Sequence, residues 1–359
     1  MSKLTKYKFS DLYEMSSGIS SSKEQAGHGS PFISFSTVFN NYFLPEELPD
    51  LMDTSLKEQE IFSVKKDDVF ITRTSETVDA LAMSCVAVKD YPKATFSGFV
   101  KRLRPKTTGI VYSKYIAFFL RSKYFRKVLD CNTIMTLRAS FNEDMFSFLY
   151  LYLPDYEEQV RIGDLLYKME MKIRTNNKIN DNLEQQAKLL YDYWFTQFDF
   201  PDENGEPYRS SGGKMVWNEQ LKRTIPDGWT TNPLSDIFTF KSGYSFSSDL
   251  YEVSGKYKLL TIKNVQNNGI NLNVDNYINV LPDNVPDYCL LKAQDILMSL
   301  TGNVGRVGIM YADNCLLNQR VALAEPVNIN QRVFVYFLLK SDIIHKQYEM
   351  IANGSSQQN

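Results

Sequence analysis

Near the middle of the chain, apolar residues recur at alternating steps of four and three, which is the spacing of one continuous helical face. The predicted helix begins after Pro154 and Asp155, and Glu157 and Glu158 suit the positive end of its dipole. No proline interrupts the pattern before Phe195. The repeating face, which we call the seam, consists of Ile162, Leu166, Met169, Ile173, Asn176, Asn180, Leu183, Ala187, Leu190 and Trp194.

The seam predicts a helix that packs against a partner along one side. About forty residues of helix span roughly 60 Å, and few single domains are wide enough to bury a helix of that length. The two asparagines of the seam would lower the stability of a helix pair but restrict its register and orientation. We therefore expect the seam to select a particular partner helix. The alternative is a helix that lies on the core of one domain.

The pattern on the two sides of this helix is repeated. The segment FSDLYEMSSGIS (9–20) resembles LSDIFTFKSGYS (234–245) in its Ser-Asp, its Ser-Gly and its apolar spacing. Three further pairs follow in the same order: KKDDVFITRT (65–74) with LKAQDILMSLT (291–301), FVKRLRP (99–105) with RVALAEP (320–326), and YIAFFLRS (115–122) with FVYFLLKS (334–341). Such a repeat indicates two homologous domains, each with strands and helices.

The predicted fold class is α+β, with two homologous domains separated by a long coiled-coil-type helix. A stretch rich in Gly, Pro, Ser and Asn follows the helix, as expected of a linker that carries a docking segment. The predicted segments are a first domain (1–155), a central helix (156–197), the linker and docking segment (198–229) and a second domain (230–359).

The composition is that of an ordinary globular protein, with 43% hydrophobic and 23% charged residues. The length of 359 residues suggests two to three domains. The net charge of -2 hides a basic segment: residues 89–127 contain eleven Lys and Arg and one acid, Asp90. Clustered cations favour a phosphate-binding surface, and the alternative is a solvated face. The candidate DNA contacts in the first domain are Arg73, Lys101, Arg102, Arg104 and Lys106.

The second domain offers a different set of candidates. The segment SLTGNVGRVGIM (299–310) is typical of a β-hairpin with Asn303 and Arg306 near its tip, although a purely structural hairpin would read the same. LNQR (317–320) places together the side-chain types that pair with adenine and guanine edges. The remaining candidates are Asn318, Gln319 and Arg320 from that run, and Lys241 and Tyr244 from KSGYSF (241–246).

Three segments carry a family resemblance: LPDYEEQVRIGDLL (153–166), YDYWFTQFDF (191–200) and SSGGKMVWNEQLKRTIPDGW (210–229). Together with the duplicated flanking domains, they resemble the specificity subunit of a type I restriction-modification system, over essentially the whole chain. The resemblance implies two target-recognition domains that each read one half of a bipartite double-stranded DNA sequence. It also implies that long helices hold the domains apart and bind DNA-methylation subunits, which recruit the restriction subunits.

No catalytic, cofactor or metal site is predicted. The pattern Pro154-Asp155 with Glu170 and Lys172 matches a nuclease motif only formally, because Glu170 and Lys172 point to different faces of one helix. The sequence contains neither a phosphate-binding glycine loop nor an adenine-methylation motif, and four cysteines with two histidines form no zinc spacing. The chain is therefore predicted to read DNA without chemistry of its own. The alternative is a silent fragment that acts only as a protein-interaction scaffold.

The N-terminus lacks a signal-peptide pattern and no apolar run is long enough to cross a bilayer, so we expect a cytoplasmic protein without membrane contact. Aligning residues 115–140 with 334–359 places Asn359 opposite Ser140, which leaves no counterpart of 141–154. The resemblance implies a second helix beyond that point, antiparallel to the first. We therefore expect a C-terminally truncated specificity subunit that pairs through the seam with a second chain or fragment, or is poorly soluble and inactive.

Overall fold

The computed structural model describes residues 4–75, 81–132, 139–266, 269–302 and 304–352. The chain divides into two compact units, Met1–Asn176 and Asn177–Asn359. Each unit combines helices with sheets, so the predicted α+β class is confirmed. In these described ranges, a helix with the length and apolar character required to span a bilayer does not occur.

The first unit contains mostly short strands and helices. Its strands in the described ranges are β1 (Thr5–Lys8), β2 (Tyr13–Ser17), β3 (Ala26–Ile33), β4 (Asp50–Met52), β5 (Val69–Thr72), β6 (Thr74–Ser75), β7 (Ser84–Val86), β8 (Thr95–Phe96), β9 (Val100–Pro105), β10 (Ala139–Ser140) and β11 (Tyr150–Leu153). Its helices there are α1 (Phe9–Leu12), α2 (Phe35–Asn40), α3 (Leu56–Ile61), α4 (Ser113–Phe119), α5 (Lys123–Asn132), α6 (Glu143–Phe148) and α7 (Tyr156–Tyr191), the last of which runs into the second unit.

A four-stranded antiparallel sheet with the order β2-β9-β5-β7 forms the centre of the first unit. Successive residues of a strand point to opposite faces, and both faces of this sheet are covered. Val69 and Ile71 contribute to one buried cluster, which also includes residues of α4 and α6. Phe70 contributes to a second cluster on the other side, near the sheet β4-β3-β8. The central strands are therefore almost fully buried.

The second unit repeats this plan. Its strands in the described ranges are β12 (Met215–Asn218), β13 (Arg223–Pro226), β14 (Phe238–Ser242), β15 (Tyr257–Leu260), β16 (Val265–Gln266), β17 (Gly269–Ile270), β18 (Tyr277–Ile278), β19 (Leu290–Leu291), β20 (Ile296–Ser299), β21 (Val307–Ile309), β22 (Cys315–Leu317) and β23 (Val321–Pro326), and its helices are α8 (Arg332–Leu339) and α9 (Asp342–Ala352). The sheet order β14-β23-β20-β21 reproduces β2-β9-β5-β7 strand for strand. The predicted repeat is confirmed.

The Ser-Gly pair that the two repeats share has a steric cause. A Cβ on Gly18 would lie 2.3 Å from the carbonyl oxygen of Phe96, and one on Gly243 would lie 2.2 Å from that of Asn318. Real Cβ atoms do not approach a backbone oxygen so closely. Glycine at these two positions therefore allows the chain after β2 and after β14 to pass directly against the turn that precedes β9 or β23.

Helix α7 is continuous from Tyr156 to Tyr191 and is followed by a π-helical turn, Asp192–Thr196. The Asp155 carboxylate caps its start, since Oδ1 accepts a hydrogen bond from the Glu158 amide at 2.9 Å. A Cβ on Gly163 would lie 2.7 Å from the Tyr115 amide nitrogen, so this glycine lets α7 pack closely on α4.

The two halves of α7 pack on the units to which they belong. In the first unit, Tyr167 and Met171 lie against the buried cluster that includes α4. In the second unit, Ala187 and Tyr191 join the cluster formed by α8 and the sheet. There the Glu184 carboxylate also accepts a hydrogen bond from the Tyr336 hydroxyl at 2.7 Å.

The seam is mostly exposed on the described helix. Ile173 and Leu183 are 56% and 57% exposed, and Met169 and Leu190 are comparably open. The two seam asparagines are exposed as well. Ala187 departs from this pattern because it packs on the second unit's core. Pairing of the seam with another helix stays a prediction.

The predicted linker is ordered. Strands β12 and β13 form an antiparallel hairpin. Before it, the Phe200 ring stacks on Tyr208 and on Trp229, and the Asp199 carboxylate accepts hydrogen bonds from Ser210 at 2.7 Å. The segment is thus a small folded element of the second unit.

Candidate nucleic-acid interface

Two cations in the densest part of the basic segment, Lys101 and Arg102, lie inside the first domain, which argues against a phosphate-binding role for them. Lys101 is 3% exposed, and its Nζ donates hydrogen bonds to Ser17 Oγ at 2.9 Å and to Glu143 Oε1 at 2.6 Å. Arg102 is 8% exposed and donates to the Ser63 carbonyl at 2.6 Å. Burial lowers the pKa of Arg102. Both side chains are committed to internal partners.

Arg104 also has a structural role. Its guanidinium donates two hydrogen bonds to the carboxylate of the fully buried Asp68, at 2.7 and 2.6 Å, and a third to the Ser63 carbonyl at 3.0 Å. A bidentate pair of this kind combines charge with fixed geometry. Arg104, whose side chain is 26% exposed, is thus occupied by internal partners, and its role as a DNA contact stays a prediction.

Two further cations of the basic segment link distant parts of the backbone. Arg126 donates to the carbonyls of Leu81, Ala82 and Leu120. Arg121 donates to four backbone carbonyls, those of Ser84, Val38, Phe39 and Asn41. Much of the positive charge counted in the sequence is thus used within the domain.

Lys106 and Arg73 lie at opposite ends of the sheet. Lys106 directly follows β9, and its Nζ donates to the Ser10 carbonyl at 2.8 Å. Arg73 directly follows β5, which is antiparallel to β9, and it is exposed. The structure therefore does not bring these two predicted contacts together.

We call the Arg73 end of this sheet the first-domain tip; it comprises Arg73 and the turn Ser97–Val100. The Arg73 amide donates to the Phe99 carbonyl at 2.9 Å, and the Phe99 side chain is 65% exposed. Among the residues that the structure describes, no acceptor binds the Arg73 guanidinium. The hydrogen bond from Lys101 lowers the pKa of the Glu143 carboxyl, and the positive charge of Arg73 lowers it further by a smaller amount.

The equivalent end of the second domain's sheet, the second-domain tip, gathers most of that domain's predicted contacts. Arg320 and Gln319 are exposed in the turn before β23, and Asn318 forms a parallel bridge with Tyr244. Arg306 lies in the β20–β21 hairpin, where its amide donates to Ser299 Oγ at 3.1 Å. Within the described chain, the guanidinium groups of Arg306 and Arg320 have no hydrogen-bond acceptor.

Two other predicted contacts differ from this group. Lys241 lies within β14, pairs with Glu325 at 2.5 Å and packs over the Tyr288 ring, so its charge is already balanced. Asn303 lies outside the described residues. A cavity of about 420 Å³ opens beside the tip. It is lined by Met298, Leu300, Thr301, Val304, Gln319, Arg320 and Tyr348.

Phe99 is the tip residue that the sequence reasoning missed. Its side chain is 65% exposed next to Arg73, whose guanidinium has no acceptor among the described residues, so an aromatic ring and a cation are presented together at the tip. The signal was present, because the alignment of FVKRLRP with RVALAEP already places Phe99 opposite Arg320.

The two carboxylates of the formal nuclease pattern have structural partners. Asp155 caps α7, and Glu170 forms an ion pair with Arg174 at 2.9 Å on the same helix. Across the described ranges, His, Cys, Asp and Glu side chains form no group suited to a metal ion. Cys85, Cys289 and Cys315 are buried free thiols, and burial raises the pKa of Cys85 to about 12.

Each copy of the duplicated α+β domain presents, at the same end of its sheet, an arginine whose guanidinium has no acceptor among the described residues. The chain belongs to the family of the type I restriction modification DNA specificity domain, whose model matches residues 1–185 and 226–359. The resemblance found in the sequence is thereby confirmed.

Relatives and a solved structure agree with this family. The chain is 24% identical over 348 residues to the type I restriction enzyme MjaIX specificity subunit of Methanocaldococcus jannaschii, covering 93% of this chain and 75% of that protein. It is 23% identical over 376 residues to the HindI specificity subunit of Haemophilus influenzae, covering 90% and 80%. The crystal structure of the S subunit from M. genitalium shares the fold, with a TM-score of 0.54 and 16% identity over 97% of this chain and 80% of that one.

Proposed function

We propose that this chain reads a bipartite duplex DNA target for a type I restriction-modification complex, one part with each domain. The DNA-specificity role belongs to the family. The observation that supports two-part reading is the repeat itself. The same end of the same sheet, in the same strand order, carries Arg73 in one domain and Arg306 and Arg320 in the other.

The chemistry of the tips suits base reading. Arginine pairs bidentately with guanine, and asparagine or glutamine with adenine, in a major groove that admits a two-stranded ribbon. The second-domain tip presents Gln319 and Arg320 on a turn and Arg306 on a hairpin. Contacts to phosphates position a protein on the duplex, whereas contacts to base edges give the sequence preference. We propose that the two tips contact base edges and so determine the sequence preference.

The exposed seam of α7 is the surface we propose for the methylation subunits. An apolar stripe that includes Met169, Ile173, Leu183 and Leu190 faces outward in the described structure. Exposed apolar residues grouped on one face, rimmed by polar ones, are typical of a site of association. The bound subunits then carry out catalysis, and this chain selects the DNA sequence on which they act.

The proposal is tested by co-expressing the chain with its methylation subunit and mapping methylated adenines across a genome. We expect a single bipartite motif. The purified chain alone is expected neither to methylate nor to cut DNA when supplied with S-adenosylmethionine, ATP and Mg²⁺. The double variant Ile173→Glu/Leu183→Glu should abolish both co-purification of the methylation subunit and methylation, because it places charge on the seam. Thr175→Glu, exposed on the same helix but outside the seam, is the matched control.

Three results would contradict the proposal. The first is methylation or cleavage by a preparation free of partner subunits. The second is a complex that methylates a motif without two separate parts. The third is binding to duplex DNA whose affinity does not fall with salt, since phosphate contacts release counterions; that result favours the scaffold alternative.

A further inference from the structure

The two tips share one backbone frame. In the first domain the Val100 amide donates to the Ser97 carbonyl at 2.9 Å, and in the second the Val321 amide donates to the Asn318 carbonyl at 2.9 Å. Each turn is also held by the residue that follows the close-packed glycine, Gly18 or Gly243. The Ile19 amide donates to Phe96 at 2.8 Å, as the Tyr244 amide does to Leu317 at 3.0 Å. Residues at matching positions of the two turns are therefore structurally equivalent.

Within this frame, one cross-strand pair occupies the same place in both domains. The Arg73 amide donates to the Phe99 carbonyl at 2.9 Å, and the Leu300 amide donates to the Arg320 carbonyl at 3.0 Å. Both pairs continue the register of their sheets, in which Thr72 opposes Val100 and Ser299 opposes Val321. Directly opposed residues of an antiparallel pair point to the same face.

The two pairs contain the same kinds of side chain in exchanged places. In the first domain the arginine follows β5 and the apolar residue precedes β9; in the second, the apolar residue follows β20 and the arginine precedes β23. Arg73, Phe99 and Arg320 are exposed, and Leu300 is half-buried. In contrast to Arg102, Arg104, Arg121 and Arg126, the two tip arginines have no acceptor among the described residues.

We propose that these exchanged pairs, Arg73 with Phe99 and Leu300 with Arg320, are specificity determinants. In each domain the arginine contacts a guanine, but it does so from the end of β5 in the first domain and from the start of β23 in the second. The inference rests on the proposed function. An arginine fork reads guanine O6 and N7, and an apolar side chain beside it contacts the methyl group of a thymine. Neighbouring strands lie about 4.8 Å apart, whereas successive bases of one DNA strand are about 3.4 Å apart. Moving the guanidinium from one β-strand to the neighbouring one therefore shifts the base pair that it contacts by about one position, measured relative to the domain.

The test uses the full chain in complex with its methylation subunit, with genome-wide methylation maps and binding to a random duplex library. The first-domain exchange is Arg73→Leu/Phe99→Arg, and the second-domain exchange is Leu300→Arg/Arg320→Leu. Each should alter the preferred bases in one part of the motif only. Preference for the original sequence should fall by at least about fivefold, as loss of one bidentate base contact does.

Arg73→Lys separates base reading from simple charge attraction. Lysine keeps the positive charge but lacks the planar fork. We expect it to weaken the guanine preference while leaving the affinity for unrelated duplex and its salt dependence unchanged. Because this substitution is conservative and exposed, it decides the question even where an exchange variant fails to fold.

The outcomes distinguish this inference from the proposed function. A wild-type complex without a bipartite motif would overturn the proposed function and this inference with it. A wild-type bipartite motif that both exchange variants retain unchanged, with binding intact, overturns only the inference. An equal loss of affinity for all sequences also overturns it, because the arginines would then be phosphate contacts.

Discussion

Replacing Arg104 by alanine is expected to lower the free energy of unfolding of the first domain by about 3 to 5 kcal/mol. The reason is the carboxylate of Asp68, which is fully buried and receives two hydrogen bonds from Arg104. Without the guanidinium, the buried carboxylate keeps, among the described residues, the backbone hydrogen bond from Lys65 at 2.8 Å. Urea unfolding of the purified chain measures the change. The salt dependence of DNA binding by the complex should stay as in the wild type.

Two further variants identify the cause. Asp68→Asn added to Arg104→Ala should restore part of the lost stability, since the uncompensated charge is gone. Lys106→Ala, one exposed cation at the same end of β9, should change the free energy of unfolding by less than about 0.5 kcal/mol. If Arg104→Ala leaves stability intact but reduces the salt dependence of DNA binding, the internal role given to Arg104 is wrong.

Gly243→Ala is expected to destabilise the second domain by about 2 to 4 kcal/mol, through overpacking and strained hydrogen bonds. The added Cβ would lie 2.2 Å from the Asn318 carbonyl oxygen, so the two chain segments must separate. Separation stretches the hydrogen bonds from Gly243 to Val321 and from Tyr244 to Leu317, both 3.0 Å. Hydrogen exchange measured by mass spectrometry should rise around the second-domain tip.

Gly18→Ala is the matched variant, because its Cβ would lie 2.3 Å from the Phe96 carbonyl oxygen. It should raise exchange around the first-domain tip and leave the second domain unchanged. Ser245→Ala, exposed and close in sequence to Gly243, controls for substitution itself. Wild-type exchange rates in both glycine variants would show that the tips tolerate a Cβ and that the close approach has no structural importance.

The sequence predicted the fold well where the information was periodic or duplicated. Repeated spacing identified α7, and the aligned segments correctly paired β5 with β20 and β9 with β23. The Ser-Gly motif is visible in the sequence as a repeat, but its cause lies in backbone oxygens about 75 residues further along the chain. A local sequence pattern cannot predict this close approach, because it depends on which strands pair in the sheet and in which register.

Charge was harder to assign than secondary structure. Arg102 lies within β9 and Arg73 directly follows the neighbouring strand β5, yet Arg73 is exposed whereas Arg102 donates to a carbonyl 39 residues away. Alternation along β9 did not help, because the sheet is covered on both faces and every residue from Val100 to Leu103 is buried. Where a guanidinium ends depends on acceptors that only the tertiary structure positions.

The main-chain bonding of the tips has an evolutionary consequence. The turns are closed by backbone amides and carbonyls, such as those of Val100 and Ser97, and no side chain at position 99 or 320 takes part in these bonds. Exposed substitutions outside such bonds usually change stability by less than about 0.5 kcal/mol. Mutations at Phe99 and Arg320 should therefore change the free energy of unfolding little, and selection for a folded protein does not remove them. A lineage can drift at these two positions and acquire a new target without first acquiring a more stable protein.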